Sequence, residues 1–372
     1  MDKVYSSVKD YYGKVLSTSK DLKTSACTAG AAPHPIIKEI IAKQVPDAVN
    51  EKFYGCGNPI PLGIEGKSVL DLGSGSGRDC YVAAALVGPS GSVTGVDMTD
   101  KQLEVARANV SKFADALGYA PKLRFLTGYI ENLEAAGVAP ESIDLCISNC
   151  VINLSPDKPA VLRGVYGSLR DGGELYFSDV YADADLPADV RTHDVLLGEC
   201  IGGALYAEEF ERISRDVGFV QPRVLSVAHI EINDPELRAL VRDTRFYSIT
   251  YRLFKSSSKR AEDAASATYL GTIPGHTDKY ELDVDHAFAK DVAVHVDGAT
   301  AALLKHSWLA KFFDVQPVAA AAAAAAAAHG EEAAKPATST ISLMQKAYEE
   351  QQSSRAAKSS SDGGCCSGKK CC

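Results

Sequence analysis

Three cysteines stand where side-chain chemistry is expected: Cys56 in Tyr54-Gly55-Cys56-Gly57-Asn58-Pro59, Cys150 in Ser148-Asn149-Cys150-Val151, and Cys200 in Gly198-Glu199-Cys200-Ile201-Gly202-Gly203. Each sits among small or turn-forming residues, where a thiol can be presented rather than packed away. A thiolate is both a nucleophile and a soft ligand. Cys146, four residues before Cys150, falls inside an apolar strand and reads as core. None of the three is then paired at the spacing of ordinary structural zinc. A set drawn from remote loops and made wholly of sulfur suits a thiophilic centre. Any one of them, taken alone, also reads as a small buried hydrophobe.

The second chemical feature is Asp71-Leu72-Gly73-Ser74-Gly75-Ser76-Gly77, between an apolar strand and a helix. Glycines there let the backbone turn tightly and approach a ligand. The dinucleotide fingerprint wants its third glycine one residue later, where Arg78 stands. Asp71 would repel a pyrophosphate but favours a sulfonium or an ammonium. The motif resembles motif I of class I S-adenosylmethionine (SAM) methyltransferases, which implies that Gly73, Ser74, Gly75 and Gly77 line the cofactor. Asp97, twenty residues past Gly77 at the end of the next strand, is placed to take ribose hydroxyls.

The elements that position these groups follow from periodicity. Residues 35–49 carry a helical apolar stripe. KSVLDL, GSVTGVDM, LRFLTG, SIDLCISNCVINL and GGELYFSDVY read as strands alternating with helices, among them one helix over 100–118. That alternation predicts an α/β, Rossmann-like doubly wound sheet over 65–182, whose ligands bind outside the carboxyl ends of the strands. Cys150 falls at such an end. The stretch 1–64 is expected as an N-terminal helical segment with the Cys56 loop. Residues 183–255 are expected as an extension packed on the sheet: a helical stretch over GECIGGALYAEEFERISRDVGF, then two strands. A small C-terminal α+β domain is expected over 256–315, and a disordered, low-complexity tail over 316–372.

The chain has 372 residues, a net charge of −9 and no basic stripe, which argues against a nucleic-acid partner. No apolar run is long enough to span a bilayer. The start, MDKVYSSVKDYYGKVLS, lacks an apolar signal core, and Asp2, Asp10 and Asp21 argue against a transit peptide. A reducing cytoplasm is therefore expected, where ten cysteines do not form a structural disulfide framework.

Over about residues 5–315 the chain resembles the arsenite methyltransferases, on YGCGNPIPLG, DLGSGSGRD, GVDMTDKQLEVA, SNCVINLSPDK, GECIGGALY, TYRLFK and YLGTIPGH. The resemblance implies that arsenite and methylarsenite are substrates, held by the thiolates of Cys56, Cys150 and Cys200. It matches Cys27 to a cysteine of the redox cycle, returned to the thiol by thioredoxin or glutathione. It also places Tyr54, Met98, Gly128, Tyr129, Ile130 and Asn149 beside SAM, although Met98 reads equally as core. A monomer is expected. His193 reads as a surface or packing residue, and Glu199 as a solvated acid ahead of a group that takes up a thiol proton.

Two other readings stay open on the residues alone: a class I methyltransferase with another small acceptor, and a non-enzymatic, thiol-based metalloid-sequestering protein. The terminal pairs Cys365-Cys366 and Cys371-Cys372 are read as a thiol tail that captures arsenite, as a lipidation signal lacking the usual spacing, or as a neutral tail.

Overall fold

The computed structural model describes Tyr5 and residues 32–53, 55, 57–256, 263–318 and 337–362. Two short helices lead in, α1 (Pro35–Lys43) and α2 (Asp47–Asn50). The stripe expected to run unbroken to residue 49 is cut at Pro46, which lacks the N–H that a continuing helix needs.

The central unit alternates β1 (Ser68–Leu72), α3 (Arg78–Val87), β2 (Ser92–Asp97), α4 (Asp100–Ala108), α5 (Val110–Leu117), β3 (Leu123–Thr127), β4 (Ile143–Asn149), α6 (Lys158–Ser168) and β5 (Leu169–Ala182). The single helix expected over 100–118 is split at Asn109, whose side chain donates to the Val105 carbonyl at 2.8 Å and so competes with the helical ladder.

Residues 183–255 form α7 (Ala188–Arg191), α8 (Asp194–Gly198), β6 (Leu205–Tyr206), α9 (Ala207–Val217), β7 (Arg223–Ile230), α10 (Pro235–Val241) and β8 (Phe246–Phe254). The sheet order is β3-β2-β1-β4-β5-β8-β7, with β6 pairing the end of β5. Strands β1 to β5 are parallel, whereas β8 lies antiparallel to β5 and β7 antiparallel to β8. The stretch expected to pack on the sheet thus supplies three of its strands, β6, β7 and β8. The helical stretch expected around Cys200 is instead α8, a tight turn over 199–204, and α9. Strand order reverses between β1 and β4, which opens a crevice above their carboxyl ends.

One core cluster joins α1, α3 and the C-terminal module to one face of the sheet, and a second packs α6 and α9 on the other. The C-terminal module holds β9 (Ala265–Tyr269), β10 (Lys279–Glu281), β11 (Ala287–Ala289), β12 (Ala293–Val296), α11 (Gly298–His306) and β13 (Phe313–Pro317). It is pinned to β5 and β8 by a buried network. Arg252 grips Glu174 with two bonds of 2.6 and 3.0 Å, and Trp308 donates to the same carboxylate at 2.7 Å.

Within the tail that composition assigns to disorder, α12 (Thr340–Asp362) is helical, and Met344 is buried in the second core cluster. Its apolar Ile341, Leu343 and Tyr348 pack against that cluster, enough to hold a helix to the sheet. The alanine run and the terminal cysteine pairs lie outside the described residues.

Candidate active site

The crevice at the strand switch is a cleft with an empty volume of about 950 Å³, counting the solvent at its mouth. Asp71, Gly73, Ser74, Gly75, Asp97, Met98, Gly128, Tyr129, Ile130, Asn149 and Cys150 all line it. Each comes from the carboxyl end of a parallel strand or the loop after it. Gly73 turns the chain at φ +63°, and a side chain there would strike Val151 at 2.3 Å. The turn is locked from below. Asp97 accepts the Gly75 N–H at 2.8 Å and the Thr99 N–H at 2.7 Å.

Gly77 does not line the cleft. At φ +91° it opens α3, and a side chain there would meet Phe125 at 2.8 Å. Its smallness serves helix-to-strand packing. Cys27, Tyr54 and Cys56 lie outside the described residues.

Three carboxylates, Asp71, Asp79 and Asp97, border this one cleft. Burial, and then Asp79, push the Asp71 carboxyl well above the usual carboxylate range. Burial raises Asp79 as well, against the pull of Arg78 and of the Asn149 amide that donates to it at 3.0 Å. A bound cation relieves such crowding. Ser74 Oγ, Gln102 Oε1 and Asn149 Oδ1 are also buried with no hydrogen-bond partner among the described residues, and all three residues line the cleft. Orphaned polar atoms beside clustered acids fit a ligand with a cationic head and many hydroxyls, as SAM is. At the mouth Tyr5 packs against Tyr129, with ring centroids 4.8 Å apart.

At the inner end Cys150 follows β4 and is 3% exposed. Cys200, fully buried, donates its thiol to the Cys150 carbonyl at 2.9 Å. Both adopt left-handed backbone, φ +56° and +64°, and so make two of the five such non-glycine residues among those described. That conformation costs an L-residue about 1–2 kcal/mol, and such outliers gather at functional sites. Gly203 allows it in the Cys200 turn, because a side chain there would collide with the Asn153 carbonyl at 1.9 Å. A separate apolar cluster that includes Val180, Leu196 and Ile201 encloses the pair.

Cys150 is disulfide-bonded, whereas Cys80, Cys146 and Cys200 are reduced. Cys146 is core, as expected. His193 accepts the Leu196 N–H at 3.4 Å and caps α8. Glu199 corrects an expectation. It is fully buried rather than solvated, because its turn is folded into the cysteine cluster.

The sequence reading missed Asp79 and Gln102 in the cleft. It also missed Asp179, whose carboxylate shares a cluster within 4.8 Å with the sulfurs of Cys150 and Cys200. Asp79 and Gln102 stand just inside the helices that follow the glycine turn and Asp97, which is a usable signal. Nothing local marks Asp179, an acid inside an apolar strand.

Sheet order, glycine turn and acid-lined cleft define a SAM-dependent methyltransferase fold. Residues 64–218 match a methyltransferase domain, and residues 262–372 match the arsenite methyltransferase C-terminal domain. The chain is 45% identical to the arsenite methyltransferase of Mus musculus, over 86% of its own length and 85% of that protein's. It is 47% identical to that of Aquipseudomonas alcaligenes, over 83% and 90%. A crystal structure of an arsenic (III) S-adenosylmethionine methyltransferase from Chlamydomonas reinhardtii superposes with a TM-score of 0.74 at 54% identity, covering 78% of this chain and 98% of that one. The chain belongs to the arsenite methyltransferase family.

Proposed function

We propose that this protein transfers methyl groups from SAM to trivalent arsenic held by the thiolates of Cys150 and Cys200, with Cys56 as the third sulfur. The observation that carries the reading is the position of Cys150. It lines the cofactor cleft on one side and meets Cys200 on the other.

SAM, when bound, supplies an electrophilic methyl carbon on a sulfonium. Asp97 and the turn from Gly73 to Gly75 would hold its ribose and methionine ends, and the nearby acids would balance its charge. Sulfur ligands displace water and hydroxide from arsenic and release protons. Held as a pyramid, arsenic keeps a lone pair, and the thiols fix where it points. Such alignment is worth roughly 7–11 kcal/mol in favourable cases. The apolar cluster around the cysteines keeps water from competing. No general base is needed on arsenic.

Methyl transfer takes arsenic formally from the trivalent to the pentavalent state. Two thiols closing to a disulfide return the two electrons, and Cys27 with Cys56 is the pair proposed. Thioredoxin or glutathione then reduces that disulfide, which suits a cytoplasmic protein. The protein is proposed to act as a monomer. No helix among the described residues is long and apolar enough to cross a membrane.

The test is turnover by the reduced protein with SAM and arsenite, with arsenic species separated by chromatography. Methylated arsenicals are expected, and their absence overturns the reading. Cys27→Ser is expected to slow multiple turnover of inorganic arsenite. Unchanged turnover removes Cys27 from the redox cycle.

A further inference from the structure

Asp179 has no part in the steps above, yet it stands beside the two cysteines. It lies in β5 and is fully buried. Its carboxylate oxygen and the sulfurs of Cys150 and Cys200 all lie within 4.8 Å of one another. The carboxylate is held firmly, Oδ2 accepting the Asn153 N–H at 3.0 Å and Oδ1 the Val180 N–H at 2.8 Å. A carboxylate has about four acceptor sites, so these bonds leave capacity for another donor. Val180, Leu196 and Ile201 form apolar walls of the cysteine cluster, and the buried Lys158 ammonium acts on both the carboxylate and Cys200.

An oxygen acceptor beside two sulfurs can tell arsenicals apart. When methylarsonous acid meets two thiols, two As–O bonds break, two As–S bonds form and two waters leave. Arsenic then carries two sulfurs and a carbon, with no hydrogen to donate. Inorganic arsenite, treated the same way, keeps one hydroxyl. Arsenic stays trivalent in both cases. Away from water that hydroxyl needs an acceptor.

We propose that Asp179 accepts the hydrogen bond of the arsenic-bound hydroxyl and so favours inorganic arsenite at the two-thiolate stage over arsenicals that carry carbon in its place. The proposal rests on the reading that Cys150 and Cys200 bind arsenic. Asp179 is then a specificity residue that acts before a third thiolate displaces the hydroxyl. A charged acceptor suits that role better than an amide, because charge-assisted hydrogen bonds are the stronger kind.

The test, run at about pH 8.5 where the buried Asp179 carboxyl is ionised, uses the reduced full-length chain with Cys56→Ser, which leaves the hydroxyl on arsenic. Arsenite and methylarsonous acid are titrated into this protein and into the same protein carrying Asp179→Asn. Loss of the charged acceptor is expected to raise the arsenite Kd about tenfold and to leave the methylarsonous acid Kd within about twofold. Equal weakening of both ligands, or no change in either, overturns the proposal while leaving the two-cysteine reading intact. A parent protein that binds neither arsenical overturns both.

Asp179→Asn disturbs a buried site, so infrared difference spectra of the Cys56→Ser parent, with Asp179 intact, give a second check. Arsenite is expected to shift a carboxylate band that methylarsonous acid leaves in place. An arsenite spectrum with no carboxylate change overturns the proposal.

Discussion

The thiol of Cys200 donates to the backbone carbonyl of Cys150 across 2.9 Å, although fifty residues separate them in the chain. Both residues hold left-handed backbone. The pair is therefore set by two strained turns meeting above the sheet, and each turn aims one sulfur.

This relationship makes the two cysteines separately testable. Serine keeps the size and the hydrogen bond but replaces a soft donor with a hard one. Cys150→Ser and Cys200→Ser are each expected to cut arsenic methylation at least about a hundredfold, because alignment carries most of the rate. SAM binding by calorimetry should be retained in Cys200→Ser, since Asp97 and the glycine turn are untouched. Full methylation activity in either variant removes that sulfur from the reaction.

Gly73 and Val151 should be coupled. A Cβ at Gly73 falls 2.3 Å from Val151 Cγ1, next to Cys150, at φ +63°. Gly73→Ala is expected to cost the left-handed strain of about 1–2 kcal/mol and the clash besides. Adding Val151→Ala should recover the clash and leave the strain. Denaturant unfolding of the four proteins measures this, and strictly additive effects would contradict it.

Asp179 should give the stability a distinctive pH dependence. Burial pushes its carboxyl from 3.8 up to about 7, against the N–H bonds of Val180 and Asn153. Between those values the folded chain holds a proton that the unfolded chain has released. Stability therefore falls as pH rises through that window, and the loss is complete above it. Relative to Asp179→Asn, the unmutated protein is expected to fare best near about pH 4 and to lose ground by about pH 8 in urea unfolding. A difference that does not vary with pH contradicts the assignment.

The Glu174 network should govern attachment of the C-terminal module. Arg252 is 1% exposed, and Glu174 accepts two of its bonds, at 2.6 and 3.0 Å, while also accepting from Trp308. Glu174→Ala leaves a buried guanidinium uncompensated, a loss of about 3–5 kcal/mol. Trp308→Phe removes one donor and keeps most of the apolar bulk, so a loss of only about 1–3 kcal/mol is expected. Thermal unfolding ranks the two, and the reverse order contradicts this account.

Much of the cleft was legible in the residues alone. The strand, glycine turn and helix around Gly73 are written in local spacing, and Asp97 follows at a distance set by one helix and one strand. Cys150 was placed correctly at a strand end because a parallel sheet puts its ligands there. Each inference needed only periodicity and the length of one βαβ unit.

The partners of those residues were not legible. Cys200 looked helical, Glu199 looked solvated, and β7 and β8 looked like an extension, because their places depend on contacts with segments far along the chain. Asp179 sits opposite Ile249 in an antiparallel pairing, and no local pattern announces that register. Spacing along the chain thus names the cofactor turn and the soft donors. The meeting of Cys150, Cys200 and Asp179 arises only when β5 lies between β4 and β8, since long-range packing chooses which distant side chains share one dry enclosure.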